Sequence, residues 1–223
     1  MSIAEADYLE KNRSSWQYGY DAPNVESWVF RWNGRILRNK LGITSGNLLD
    51  WGCGQGATAG FFQRIGFDAY GVDIAAGDLE RAKRLIPSER LKLIFPKPDM
   101  IPFFNVSFDV VVSIQSFYFL SDTDMAIAIA SLHAQMKPGA ILYATMIALD
   151  SQFGKISTDG PDGMRRLVKS NERYDTDSFL NFVTDEADLV SKFPGFEPVL
   201  IGYSDADWGE GSEKHWHITA RRV

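Results

Sequence analysis

Two acids and three glycines carry the chemistry that is easiest to read in this chain. The apolar pair Leu48-Leu49 runs into Asp50-Trp51-Gly52-Cys53-Gly54-Gln55-Gly56. Glycine at every second position lets the backbone take positive φ and approach a ligand with no Cβ in the way. The next apolar run, Tyr70-Gly71-Val72, closes on Asp73. A carboxylate there can accept two hydrogen bonds from a ribose diol, and it lies about 20 residues past the loop, as a ribose-binding acid should. The chemistry that these residues suggest is recognition of a nucleotide.

Positioning them requires a strand, a glycine loop, a helix and a second strand ending in an acid. A doubly wound α/β sheet builds a nucleotide pocket in this way, at the carboxyl ends of its strands. The dinucleotide fingerprint needs G-x-G-x-x-G, whereas the spacing here is G-x-G-x-G, with Gly60 further into the helix. The loop has no Walker lysine, which excludes a P-loop.

The pattern Asp-x-Gly-x-Gly-x-Gly resembles the class I S-adenosylmethionine-dependent methyltransferases, of the small-molecule, methyltransferase type 11-like kind. Asp99-Met100-Ile101-Pro102-Phe103, followed by Ser107-Phe108-Asp109-Val110-Val111-Val112-Ser113, is similar to that family's adenine-contact segment and fourth strand. Lys137-Pro138-Gly139-Ala140-Ile141-Leu142 is similar to its turn into the fifth strand. The resemblance covers roughly Leu48 to Met146. It implies a single Rossmann-like, doubly wound, seven-stranded sheet in the order 3-2-1-4-5-7-6, with the last strand antiparallel and helices on both faces. It also implies S-adenosyl-L-methionine as cofactor, bound by Asp50, Gly52, Gly54, Gly56, Asp73, Ile74, Asp99, Met100 and Ile114. One departure stands out. The family's adenine-contacting acid falls at Lys97, and Pro98 follows it. Proline has no N–H for adenine N1. The role is therefore assigned to Asp99, with the Met100 N–H facing N1; the alternative is that Asp99 only caps a turn.

The rest of the chain falls on the same frame as one domain, 1–223, with an N-terminal helical cap segment at 1–42. Val25, Trp28, Val29, Trp32, Ile36 and Leu37 share one face of a helix opened by Pro23-Asn24 and stopped at Gly42. Asp68 to Asp73 reads as the second strand, Leu91 to Phe95 as the third and Ala140 to Met146 as the fifth. A helix capped at Ser121-Asp122 runs through Met125, Ile129, Leu132 and Met136. The stretch 151–177, punctuated by Gly154, Gly160, Pro161 and Gly163 and carrying Arg165, Arg166, Lys169 and Arg173, reads as a substrate loop. Phe179 to Phe193 reads as a helix, with strands at Phe196 to Tyr203 and His215 to Arg222.

The acceptor side is expected beyond the fourth and fifth strands and in the N-terminal segment. Tyr118 falls where many family members carry a histidine facing the transferred methyl. Tyr118 and Tyr20 are the candidate catalytic residues, by hydrogen bond to the acceptor or cation–π attraction to the sulfonium. The alternative for Tyr118 is a packed core tyrosine. Trp16, Tyr18 and Tyr20 form an aromatic segment that either covers the cofactor or packs as core. Arg31 and Arg35 suit a solvated face better than an anion site. His215 and His217 share one face of a strand and suit a structural role better than proton transfer. Cys53 reads as a small residue that fits the loop. No Cys/His spacing suggests a metal.

Net charge is −6, apolar residues make up 45% and charged residues 23%. An acidic balance disfavours nucleic acid or an anionic membrane as partner. With no apolar run of spanning length, no h-region and a lone cysteine, the expectation is a cytoplasmic protein acting on a small-molecule substrate. Oligomeric state is left open. The function expected is methyl transfer to a small polar metabolite, with oxygen favoured over nitrogen or carbon as acceptor atom. Two alternatives stand beside it: a catalytically inactive S-adenosylmethionine-binding partner subunit, and a nicotinamide-dependent oxidoreductase.

Overall fold

The computed structural model of the protein describes residues 24–95, 103–168, 178–207, 209 and 211–223. Its central sheet holds β1 (Gly46–Trp51), β2 (Phe67–Asp73), β3 (Leu91–Leu93), β4 (Phe108–Ser113), β5 (Met136–Ile147), β9 (Phe196–Asp207) and β10 (Ser212–Arg222). The seven strands lie in the order β3-β2-β1-β4-β5-β10-β9. The first five run parallel, and β10 is antiparallel to both β5 and β9. This is the order expected, with β10 and β9 in the seventh and sixth places.

Strand alternation divides the core between the two faces of the sheet. Leu48, Val110 and Val112 pack on one side and Leu49 and Val111 on the other. Successive side chains in a strand point to opposite faces, so both faces of a central parallel strand must be apolar. The first face is covered by α1 (Ser27–Trp32), which runs on as a π-helical turn over Asn33–Arg38, and by α2 (Ala57–Arg64). Val29, Trp32, Leu37 and Phe62 are buried there. The expected helix therefore starts at Ser27 rather than at Asn24, and Gly42, at φ 70°, follows it. The short α3 (Ala76–Ala82) follows β2. The second face is covered by α4 (Asp122–Gln135), whose Met125, Ile129 and Leu132 are buried. The Ser121 hydroxyl accepts the Asp124 N–H at 3.2 Å, and Asp122 and Asp124 place negative charge in the first turn, where the helix dipole favours it.

The region after β5 departs from expectation. The stretch read as a loop over 151–177 contains α5 (Gln152–Lys155), β6 (Ser157–Asp159) and β7 (Met164–Leu167). The segment read as a helix from Phe179 begins instead as β8 (Phe179–Asn181), and only α6 (Glu186–Ser191) is helical. Strands β6, β7 and β8 form a small antiparallel sheet. Gly160-Pro161-Asp162-Gly163 is its hairpin turn: the Gly160 N–H donates to the Met164 carbonyl at 2.9 Å, and Asp162 and Gly163 both have positive φ, as tight hairpins require. Arg165 donates to the Ser157 hydroxyl at 2.9 Å and pairs with Asp159, so this basic residue closes the hairpin. Phe153, Leu167, Leu180, Phe182 and Val183 join the core of the main sheet. No helix among the described residues is long and apolar enough to cross a membrane.

Candidate cofactor and acceptor site

In this order the chain leaves β1 towards β2 on one side and reaches β4 on the other, so the β1/β4 rim is the topological switch point where such sheets bind ligands. The glycine loop sits there, and its three glycines meet three different surroundings. Gly52 has φ 73°, and its N–H donates to the Val72 carbonyl at 2.9 Å. A Cβ on it would lie 1.9 Å from the Ser116 hydroxyl oxygen, so the segment leaving β4 rests directly on the loop. Gly56, at φ 80°, has Ala82 of α3 at 3.0 Å from the Cβ it lacks. Gly54, at φ 50°, has nothing within 4 Å of that position among the described residues. That open space is the cradle a close-lying ligand would fill. Cys53 packs against Gly71, whose missing Cβ would fall 2.8 Å from the sulfur. Burial pushes the Cys53 thiol well above its ordinary pKa, which leaves it a filler and not a nucleophile.

The two acids lie on either side of this loop. Asp50, buried at the end of β1, accepts the Ala59 N–H of α2 at 2.9 Å. Burial, aided by the neighbouring charge of Asp73, pushes its pKa from 3.8 up to about 7. Asp73, at the end of β2, accepts the Gly54 N–H at 2.7 Å through Oδ2 and the Ala75 N–H at 2.8 Å through Oδ1. Burial raises its pKa as well. An ionised carboxylate offers about four lone-pair sites, so acceptor capacity remains beyond these backbone bonds for a ribose hydroxyl. Ile74, half-buried, follows. An open glycine cradle beside a carboxylate with acceptor capacity, followed by an apolar residue, fits an adenosyl group.

Asp99 and Met100 lie outside the described residues. The chain just after them is fixed by a group that sequence reading missed. Buried Gln135, at the end of α4, accepts the Phe103 N–H at 2.8 Å and donates to the carbonyls of Phe104 at 2.5 Å and Val106 at 3.3 Å. Lys92 donates to the Phe103 carbonyl at 3.1 Å, and the Phe103 ring meets Trp51 edge-on at 5.4 Å. A polar residue closing an apolar helix carries no signal in sequence for such a tertiary role.

Beyond β4 the chain passes through half-buried Ile114 and Gln115 to Ser116. The Gln115 N–H donates to Thr145 Oγ1 of β5 at 2.8 Å. Tyr118 lies in a 3-10 turn, Phe117–Phe119. It is 1% exposed, with its ring 4.4 Å from Phe119 and 6.1 Å from His215. Tyr20, with Trp16 and Tyr18, lies outside the described residues. His215 and His217 do share one face of β10, where Trp28 packs on both, with ring centroids at 5.6 and 5.4 Å. His217 has both ring nitrogens occupied, by Tyr143 Oη at 2.9 Å and Ser204 Oγ at 2.8 Å, and burial pushes its pKa down to about 4. It is a structural residue. Arg31 and Arg35 are exposed. Among the described residues, no group of three or more His, Cys, Asp or Glu is placed to hold a metal ion.

Comparison with known proteins agrees with this geometry. The family described as "Methyltransferase domain" matches residues 49–144, the span from β1 to within β5. No curated protein sequence matches the chain. Among solved structures, a S-adenosylmethionine-dependent methyltransferase from Methanosarcina mazei is 20% identical, with 85% of this chain and 97% of that one covered and a TM-score of 0.65. The 1,6-didemethyltoxoflavin-N1-methyltransferase of Burkholderia thailandensis, solved with 1,6-didemethyltoxoflavin and S-adenosylhomocysteine bound, is also 20% identical, covering 100% and 92% with a TM-score of 0.66. The magnesium protoporphyrin IX methyltransferase of Synechocystis, solved with S-adenosylhomocysteine, is 14% identical, covering 99% and 98% with a TM-score of 0.62. These likenesses establish the shared fold, and the match of residues 49–144 to a methyltransferase domain is consistent with the class I S-adenosylmethionine-dependent family and its cofactor, S-adenosylmethionine.

Proposed function

We propose that this chain is an S-adenosylmethionine-dependent methyltransferase acting on a small polar metabolite, with oxygen favoured over nitrogen or carbon as acceptor atom. The observation that carries the reading is the Asp73 carboxylate, fixed by the Gly54 and Ala75 N–H groups beside the open face of Gly54. In this reading Asp73 takes the ribose hydroxyls, Gly52 and Gly54 give backbone contact, and Ile74 and Ile114 supply apolar walls. Asp99 and Met100 read the adenine edge. Asp50 holds the first turn of α2 in place. When bound, S-adenosylmethionine supplies a methyl group on a sulfonium that is already an excellent leaving group. The chain's task is alignment, which supplies on the order of 7–11 kcal/mol in well-oriented model systems, together with exclusion of water.

The small acceptor is supported by the net charge of −6, which disfavours a polyanion, and by the fold's use on a small acceptor in the Burkholderia enzyme. Tyr118 and Tyr20 are assigned to the acceptor side, Tyr118 from its place after β4 beside His215. The test is incubation with methyl-labelled S-adenosylmethionine and a small-metabolite extract, read by mass spectrometry. A metabolite that gains one methyl group, with turnover lowered about 10²-fold in Tyr118→Phe, is the expected result. Label appearing only in nucleic acid or protein fractions contradicts the substrate class. Unchanged turnover in Tyr118→Phe makes that hydroxyl part of the core.

A further inference from the structure

Among the described residues, Gln115 and Asp162 are the two non-glycines at positive φ, 53° and 49°. Asp162 precedes Gly163 in a hairpin turn, where aspartate is at home because its short side chain tolerates the left-handed region. Gln115 has no such excuse. It lies two residues beyond β4, and a long unbranched side chain pays a steric cost there for nothing local. The conformation is held by its surroundings: the Gln115 N–H is bonded to Thr145 Oγ1, on a threonine fully buried in β5, and the next residue, Ser116, occupies the space above Gly52. Strain over-determined in this way collects at functional sites.

The position is informative. Along the rim of the sheet, Asp73 ends β2, the glycine loop ends β1, and Gln115 follows β4. With the ribose at Asp73, Gln115 stands on the far side of the loop from it, towards the reacting end of the cofactor. It is half-buried, and its side-chain amide has no hydrogen-bond partner among the described residues. A primary amide carries two donors and a carbonyl acceptor, and leaving them unpaired in a closed site is costly. Resting on the cofactor orientation proposed above, we infer that Gln115 is a specificity-determining residue: its amide carbonyl accepts the N–H or O–H of the acceptor at the point of methyl transfer, and so selects acceptors that present such a donor.

Calorimetry with two cofactor analogues tests this without knowledge of the acceptor. One is S-adenosylhomocysteine. The other is sinefungin, in which an amine-bearing carbon replaces the sulfur, so that N–H donors stand near the position of the transferred methyl. In Gln115→Met, affinity for S-adenosylhomocysteine stays within about twofold of wild type, while sinefungin binds about tenfold or more weakly, as expected for a lost hydrogen bond to a charged group. Equal weakening of both analogues overturns the inference and leaves Gln115 a structural residue. Unchanged sinefungin affinity overturns it also. Failure of the wild-type protein to bind either analogue, or an Asp73→Ala variant that binds S-adenosylhomocysteine as tightly as wild type, overturns the cofactor orientation and the inference with it.

Discussion

Asp50 shows how a single residue can serve the fold at a cost that depends on pH. Its carboxylate closes the link from β1 to the first turn of α2 through the Ala59 N–H, but it does so in a buried place beside Asp73. Its native pKa, raised to about 7, lies above that of the unfolded chain. Below pH about 4 both states hold the proton and the group favours neither. Between about 4 and 7 the unfolded chain releases it and the native state does not, so stability falls through that window and levels off above it. Asp50→Asn keeps an acceptor for Ala59 and has no proton to release. Urea denaturation across this pH range is therefore expected to show the variant gaining on wild type by up to about 4 kcal/mol. Parallel pH profiles would show that the native carboxylate is ionised throughout.

At the scale of elements, the first helix is locked to the antiparallel end of the sheet by aromatic packing around a neutral histidine. Trp32 stacks on Tyr143 at 4.4 Å and donates to Thr219 Oγ1 at 2.9 Å, while Trp28 packs on His217. The native pKa of His217, depressed by burial to about 4, gives the opposite sign to Asp50. Its contribution is full above pH about 6.5 and is lost as pH falls towards 4, because the unfolded chain takes up the proton first. His217→Gln should therefore be the less acid-sensitive protein, by up to about 3 kcal/mol at pH 4 relative to its difference at pH 7. Equal acid sensitivity would mean that His217 is protonated in the fold.

Elements differed in how far they could be read from sequence. Strands β1 and β2 were legible because their short apolar runs end in an acid or a glycine at the sheet rim, and the Ser121 cap because serine before acids in the first turn has a local mechanism. The small sheet of β6, β7 and β8 was not legible, because Gly-Pro-Asp-Gly punctuates a tight hairpin as readily as a loose loop. The apolar run Phe179 to Val183 was ambiguous between strand and helix until packing against the core decided it. At the site, Asp50, Gly52, Gly54, Gly56 and Asp73 stood out in sequence because they belong to one local pattern of strand, glycine loop and strand. Gln135 and Gln115 did not, since one acts through hydrogen bonds to a segment distant in sequence and the other through a backbone angle that its residue type does not announce.

In the proposed function the nucleoside lies at the β2–β1 side of the switch point and the acceptor at the β4–β5 side; the small sheet packs into the same core as the main one. The central claim is that Asp73 and the glycine loop hold S-adenosylmethionine. Calorimetric titration of wild type and Asp73→Ala with S-adenosylmethionine, S-adenosylhomocysteine and NAD tests it most directly. The prediction is that wild type binds the first two and binds NAD far more weakly, and that Asp73→Ala loses roughly 2–3 kcal/mol towards both adenosyl ligands, since a charged acceptor is removed from two hydroxyls. Tighter binding of NAD than of S-adenosylmethionine, or equal affinities in the two proteins, would contradict it.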